Sequence, residues 1–242
     1  ADPDTIELRD TERFLEERRP FFREGAELFD TPVNVYYSRR IWDIDSGAKI
    51  TGAGRTWALG LIGVRGQIMR SDTPHKGSFF LGRLSRNLGA QTQVGAIFVD
   101  SERDDGYNRA AGVDARLKLH DGVFLNSQFV KAFDEEAVVV TTEEGNEAEQ
   151  TLKKSGYAMS SMVEISRKPF LVLVDWTDVS AGVQFDLGYI PRRDIRGPGL
   201  RVAFNEYEET GPVKSYHGYA NFALYENHEG VTTLRDYDES FR

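Results

Sequence analysis

The sequence predicts an all-β protein, an antiparallel meander of about a dozen strands that forms a β-barrel or part of one. Apolar and polar residues alternate with a period of two over many short stretches, as in strands that separate two different environments. Connectors rich in Asp, Asn and Gly separate these stretches at hairpin spacing. Helical periodicity is weak beyond Pro32. These observations together favour a sheet built from consecutive hairpins.

The N-terminal residues differ from the rest, and we divide the chain into a charged segment over residues 1–31 and a β region over residues 32–242. The first segment is dense in charge and contains helix formers. Thr11 is a candidate N-cap for a short helix over Glu12–Glu17, which Pro20 would end or kink. We therefore expect a short helical or irregular segment, and inside a barrel it would act as a plug.

The clearest candidate strand is Tyr107–His120, which has one apolar face and one face with Asp114, Arg116 and Lys118. Such a strand contacts two different media, and its charged face suits the lumen of a barrel. The other predicted strands are Asn34–Ile41, Ala48–Gly54, Trp57–Arg65, Ser78–Leu88, Gln91–Val99, Val123–Phe133, Tyr157–Ile165, Phe170–Trp176, Gly199–Glu208, Tyr216–Leu224 and Val231–Asp236. The predicted longer loops are Gln67–Gly77 and Asp134–Ser155.

Composition narrows the function classes. The 242 residues carry 30 Lys+Arg against 39 Asp+Glu, a net charge of −9 that disfavours nucleic acid as a partner. The absence of cysteine excludes disulfides, thiolate metal ligands and thiol nucleophiles. No apolar run approaches the roughly 18 residues of a membrane-spanning helix. A barrel strand needs only about 9–11 alternating residues, so outer-membrane lipid remains a candidate environment.

The medium around the apolar faces separates the remaining hypotheses. Mixed charge inside strands and aromatic residues near strand ends favour a membrane barrel. A soluble, periplasmic or extracellular β-sandwich that binds carbohydrate stays open, with Trp42, Trp57 and Trp176 as sugar-stacking candidates. A third hypothesis is a glycan hydrolase with paired carboxylates drawn from Asp175, Asp178 and Asp186 near Trp176. An enzyme is the less favoured class.

Specific strings resemble a bacterial family in which a family-9-type carbohydrate-binding module precedes a C-terminal domain of unknown function that is predicted to be an outer-membrane barrel. The most distinctive string is Glu16–Phe29 (EERRPFFREGAELF). The further strings are Tyr36–Ile41, Gly47–Gly52, Trp57–Leu61, Tyr107–Asp114 and Gly188–Asp194. The resemblance covers roughly residues 5–205. It implies an outer-membrane protein for transport or surface handling of a glycan-related ligand, and a barrel completed by further chain or a partner chain.

Charged groups supply the candidate ligand-binding, lumen or plug residues. Besides Asp114, Arg116 and Lys118 on the candidate strand, these are Glu16, Glu17, Arg18, Arg19, Arg39, Arg40, Arg192, Arg193 and Asp194. Arginine forks bind carboxylates and phosphates, and here we expect pairing with lumen or plug carboxylates. The histidines are His75, His120, His217 and His228. None lies in a metal-binding motif, so a zinc site would need residues that are distant in the sequence to converge, and no metal, cofactor or catalytic residue is predicted.

Overall fold

A computed structural model describes residues 17–70, 73–141, 147–207 and 215–241. In these residues eleven antiparallel strands form one sheet in sequence order. The strands are β1 Ile41–Ala53, β2 Trp57–Arg70, β3 Thr73–Gly89, β4 Thr92–Arg103, β5 Gly106–His120, β6 Val123–Thr141, β7 Glu147–Arg167, β8 Phe170–Val179, β9 Ile195–Tyr207, β10 Ser215–Glu226 and β11 Thr232–Phe241. The predicted all-β antiparallel meander is confirmed. Over the described ranges the sheet is open, with β1 and β11 at its edges.

The two faces of the sheet have different surroundings. On β2, the residues from Gly60 to Arg70 alternate between buried even positions and more accessible odd positions. The register carries this alternation across the sheet, because Ile62 pairs with Leu81 and Leu81 with Val99, all three buried. We call the face that bears these residues the covered face and the opposite one the outer face.

Two irregular segments lie on the covered face. The N-terminal inner segment, residues 17–40, contains the short helix α1 (Pro20–Arg23) and 3₁₀ turns at Ala26–Phe29 and Ser38–Arg40. The β8–β9 inner segment comprises residues 180–194 between the two strands. Their apolar side chains share one core with the strands, and its inner-segment members are Phe22, Phe29, Val35, Val183, Phe185 and Leu187.

Glycines provide the space for this packing. A Cβ on Gly60 of β2 would lie 2.5 Å from Cζ of the Phe29 ring. A Cβ on Gly156 of β7 would lie 2.1 Å from the backbone nitrogen of Val183. A side chain at either position would overlap an inner segment. Glycine at these strand positions therefore leaves the room in which the inner segments pack.

Several predicted boundaries are wrong. Asn34–Ile41 is not a strand, since residues 34–37 are irregular and lead into a 3₁₀ turn. The predicted loop Gln67–Gly77 belongs to β2 and β3 except for residues 71–72, which lie outside the described part. Most of the predicted loop Asp134–Ser155 likewise extends β6 and β7. Polar side chains at these strand ends contact the inner segments or one another. A polar stretch of sequence is therefore not evidence of a loop at these positions.

Pro20 is the first residue of α1, a position that the sequence analysis does not assign to it. Proline suits the first helical position, where no backbone N–H is needed. The helix expected over Glu12–Glu17 lies outside the described residues up to position 16. Within the described ranges, no helix has the length and apolar character to cross a membrane.

Candidate functional site

A buried charged cluster fastens the β8–β9 inner segment to the covered face. It comprises the inner-segment residue Asp186 and four strand residues, Arg70, Arg103, Asp134 and Asn108. Arg70 Nη1 donates to Asp134 Oδ1 at 2.8 Å and to Asp186 Oδ1 at 2.9 Å. Arg103 Nη1 donates to Asp186 Oδ2, and the side chains of Arg103 and Asp186 are both fully buried. Each of these buried charges has a partner of opposite charge, and removal of one partner would leave the other buried and unpaired. The cluster therefore holds the β8–β9 inner segment against the sheet.

Asn108 completes this attachment through the backbone. Its side-chain amide donates to Asp134 Oδ1 at 3.1 Å and to the carbonyl of Gln184 at 3.0 Å. Its Oδ1 accepts the backbone N–H of Asp186 at 3.2 Å. The β8–β9 inner segment also bonds to its N-terminal counterpart, since the N–H of Tyr189 donates to the carbonyl of Asn34 at 2.8 Å. The two inner segments therefore hold each other as well as the sheet.

A second ion pair fastens the N-terminal inner segment. Arg83 on β3 forms a bidentate salt bridge with Asp114 on β5, in which Nη2 lies 2.8 Å from Oδ1. Arg83 Nε also donates to the carbonyl of Leu28 at 3.3 Å. The pair is nearly buried, with side-chain exposures of 5% for Arg83 and 10% for Asp114. Asp114, a predicted lumen residue, thus acts on the inner segment through Arg83.

Glu17 and Arg19 order the start of the same segment. Arg19 Nη2 lies 2.7 Å from Glu17 Oε2, and the Ser38 hydroxyl donates to that oxygen at 2.6 Å. Arg19 also donates to the carbonyls of Ile41 and Ser38. Burial opposes ionisation of Glu17, but the hydrogen bonds from Arg19 and Ser38 outweigh it and lower its pKa to about 2. The carboxylate therefore remains charged and fixed at neutral pH.

The covered face between β7 and β11 carries a polar groove that the inner segments do not line. Its volume is about 380 Å³, and its polar wall includes Asp175, Arg201, Asn221, Tyr225 and Asp238. Arg201 Nε donates to Asn221 Oδ1 at 2.6 Å. Asp175 makes no hydrogen bond among the described residues, and its carboxylate lies over the backbone of Gly199. Carboxylate, guanidinium, amide and phenol groups thus place hydrogen-bond donors and acceptors together in one groove.

His228 links the turn after β10 to two carboxylates. Its Nδ1 lies 2.7 Å from Asp194 Oδ1, and its Nε2 lies 3.0 Å from Asp178 Oδ1. Hydrogen bonding to Asp194, and next to Asp178, raises the pKa of His228 despite partial burial. Hydrogen bonds to Asp194 from the ring and from the backbone N–H of His228 lower the pKa of Asp194, which has a left-handed backbone with φ of 55°. Asp194, a predicted site residue, therefore holds a turn in place.

The other candidate charges have separate positions. Arg116 lies 5.0 Å from the centre of the Phe124 ring, and Lys118 Nζ lies 2.7 Å from Asp121 Oδ1. Arg40 Nε donates to the carbonyl of Gly188 at 3.1 Å. Arg18, Arg192 and Arg193 are exposed, whereas Arg39 is half-buried. Glu16 lies outside the described residues.

The tryptophans do not form one platform. Trp42, Trp57 and Trp176 are exposed and lie on β1, β2 and β8. In the sheet order, five strands separate β2 from β8. The candidate carboxylates are also dispersed, because Asp175 lies in the groove, Asp178 contacts His228 and Asp186 is enclosed by arginines. The described structure thus does not unite the sugar-stacking candidates.

Sequence reasoning missed Arg70, Arg83, Arg103 and Asn108. Arg70 and Arg103 end β2 and β4 on the covered face. Their signal was a charged side chain at the last inward position of an alternating strand. Such a position predicts a polar environment for the arginine but does not identify its partner. The partner is Asp186, which is more than 80 residues later in the sequence.

The sequence profile of a family described as Domain of unknown function (DUF5916) matches residues 2–52. No curated protein matches the chain significantly. The matched range contains the N-terminal inner segment and most of β1, so this part of the chain is similar to that family.

Proposed function

We propose that this chain is the sheet of an outer-membrane β-barrel protein, with its outer face in lipid and its covered face in the lumen. The observation that carries the proposal is the exposure of large apolar side chains on the outer face. They recur on β2 to β6 and on β8 to β10, for example Leu59, Phe80, Phe98, Val113, Phe129, Val174, Leu200 and Phe222. Soluble monomers rarely expose apolar patches of this extent.

The distribution of charge supports the same orientation. Buried ion pairs such as Arg83–Asp114 lie on the covered face, as expected of a lumen. On the outer face, Arg109 pairs with Asp100 and Glu102 near one end of the strands. Val113 and Phe129, further along, form part of a shallow apolar depression of about 570 Å³. An apolar band next to a charged rim matches a membrane interface.

The proposed task is transport or surface handling of a glycan-related ligand, without chemistry of the chain's own. The ligand class comes from the sequence resemblance, and the groove around Asp175 and Arg201 offers the hydrogen-bonding groups. Binding of maltohexaose, as a neutral probe, or hexagalacturonic acid, as an acidic one, is measured by calorimetry. Arg201→Ala should weaken such binding and Arg116→Ala should not. Absence of binding by both probes would remove the ligand assignment and leave the membrane assignment intact.

The membrane assignment is tested with one pair of spin labels on β5. The chain has no native cysteine, so Val113→Cys and Arg116→Cys each give a single label site. Val113 lies on the outer face and Arg116 on the covered face. In reconstituted vesicles we expect the label at 113 to collide with oxygen and the label at 116 with a water-soluble nickel chelate. Equal access of the nickel chelate to both labels, or a chain that is monodisperse without detergent at high concentration, would refute the proposal.

A further inference from the structure

Three side chains converge at the end of the hairpin β4–β5. His75, near the start of β3, points one ring nitrogen towards the two carboxylates of the turn, Asp104 and Asp105. Its Nδ1 lies 3.5 Å from Asp104 Oδ1 and 3.4 Å from Asp105 Oδ1. All three potential ligand atoms lie within 4.8 Å of one another. The group is partly sheltered, since His75 is 16% exposed and Asp105 21%.

These distances suit a shared cation better than hydrogen bonds. Hydrogen bonds from a ring nitrogen to oxygen span about 2.7–3.2 Å. Nitrogen and oxygen ligands at about 2.0–2.2 Å from a tetrahedral zinc ion lie about 3.3–3.5 Å from each other. His228 provides the contrast, because its two nitrogens bind separate carboxylates at 2.7 and 3.0 Å and leave no common point.

The surroundings hold this arrangement in place. The N–H of Asp104 donates to the carbonyl of Lys76 at 3.2 Å, which fixes the turn beside His75. Arg103 Nε donates to Asp105 Oδ1 at 2.9 Å and so orients that carboxylate. Ligating carboxylates are commonly oriented by such outer hydrogen bonds. The two turn carboxylates carry two negative charges against the one positive charge of Arg103, which is also paired with Asp186.

We propose that His75, Asp104 and Asp105 bind a divalent transition-metal ion of the zinc class. The imidazole and two carboxylates supply three ligands, and a fourth position stays open to water or an exogenous ligand. The ion joins the start of β3 to the β4–β5 turn.

The test is a Co²⁺ titration of the tag-free chain, followed by visible absorption and by competition with Zn²⁺. We expect one Co²⁺ per chain, and at least tenfold weaker binding in His75→Ala and in Asp104→Asn. Asp104 is 64% exposed, so its variant should keep the wild-type unfolding temperature and separates ligation from folding. His228→Ala is the matched control, also a histidine beside two aspartates, and should bind as wild type. No Co²⁺ binding at about 1 mM, or unchanged binding in both site variants, would overturn the proposal.

Discussion

Replacement of Asp186 by Asn tests whether the charged cluster holds the β8–β9 inner segment. Asn is nearly isosteric with Asp, so the substitution removes the negative charge and leaves the shape of the site. Arg103, whose side chain is fully buried, then keeps Asp105 and the carbonyl of Glu135 as acceptors. Arg70 keeps its paired bonds to Asp134. The substitution therefore weakens the cluster without leaving either arginine entirely unpaired.

The expected loss in free energy of attachment follows from the ion pairs that Asp186→Asn removes and those that it leaves. Removal of one member of a buried ion pair costs about 3–5 kcal/mol. Since both arginines keep other acceptors, we expect about 3 kcal/mol, the lower end of that range. Opening of the inner segment should then become more frequent by roughly two orders of magnitude, since each 1.4 kcal/mol is a factor of ten.

Hydrogen exchange measures that opening directly. The reporters are the backbone N–H groups of Tyr37, which donates to Leu187, and of Tyr189, which donates to Asn34. Both bonds break when the segment leaves the sheet, so their exchange rates should rise about 100-fold in Asp186→Asn. Asp175→Asn is the control, because Asp175 makes no ion pair among the described residues. Exchange within threefold of wild type in Asp186→Asn would refute the anchoring role of the cluster.

Three further predictions concern other attachments. Gly95→Ala should destabilise the fold by about 1–3 kcal/mol, because its Cβ would lie 2.3 Å from a guanidinium nitrogen of Arg83, which Asp114 holds in place. Glu17→Gln should cost about 1 kcal/mol near pH 7, and denaturant unfolding should show the difference vanish as the pH falls from about 4.5 towards 2, where Glu17 itself becomes protonated. The raised pKa of His228 means that its bonds to Asp194 and Asp178 stabilise the folded chain at low pH, and that this stabilisation is lost as the pH rises above about 6.5.

Matched measurements decide these three cases. Gly63→Ala is the control for Gly95→Ala, since a Cβ at Gly63 meets nothing within 4 Å. Equal thermal stability of the two variants would contradict the steric argument. A pH-independent difference between Glu17→Gln and wild type would show that the carboxylate charge plays no part. We expect wild type to lose stability between pH 6 and 8 and His228→Ala not to show this loss, and identical pH profiles would count against the histidine link.

The fold class followed from the sequence because strand alternation is local. In Tyr107–His120, the side chains of Asp114 and Val113 are assigned to opposite faces by a period of two, whatever surrounds the strand. The strand limits were harder, since Arg70 and Asp134 look like loop residues until their partners are known. Those partners depend on the register of the hairpins and on the packing of the β8–β9 inner segment, which carries Asp186, against the covered face. Neither property is visible in a single stretch of sequence.

The attachments also bear on how a ligand would cross the proposed lumen. Displacement of the inner segments would have to break the Asp186 cluster, the contact of Arg83 with Leu28 and the bond from the Val33 N–H to Gln128 Oε1 at 2.6 Å. Breaking several buried polar contacts together costs far more than breaking one exposed salt bridge, so we expect the inner segments to stay in place on the covered face. The groove around Asp175 needs no such displacement. If the sheet lies in the membrane as proposed, a ligand path therefore runs along β7 to β11 and not beneath residues 17–40.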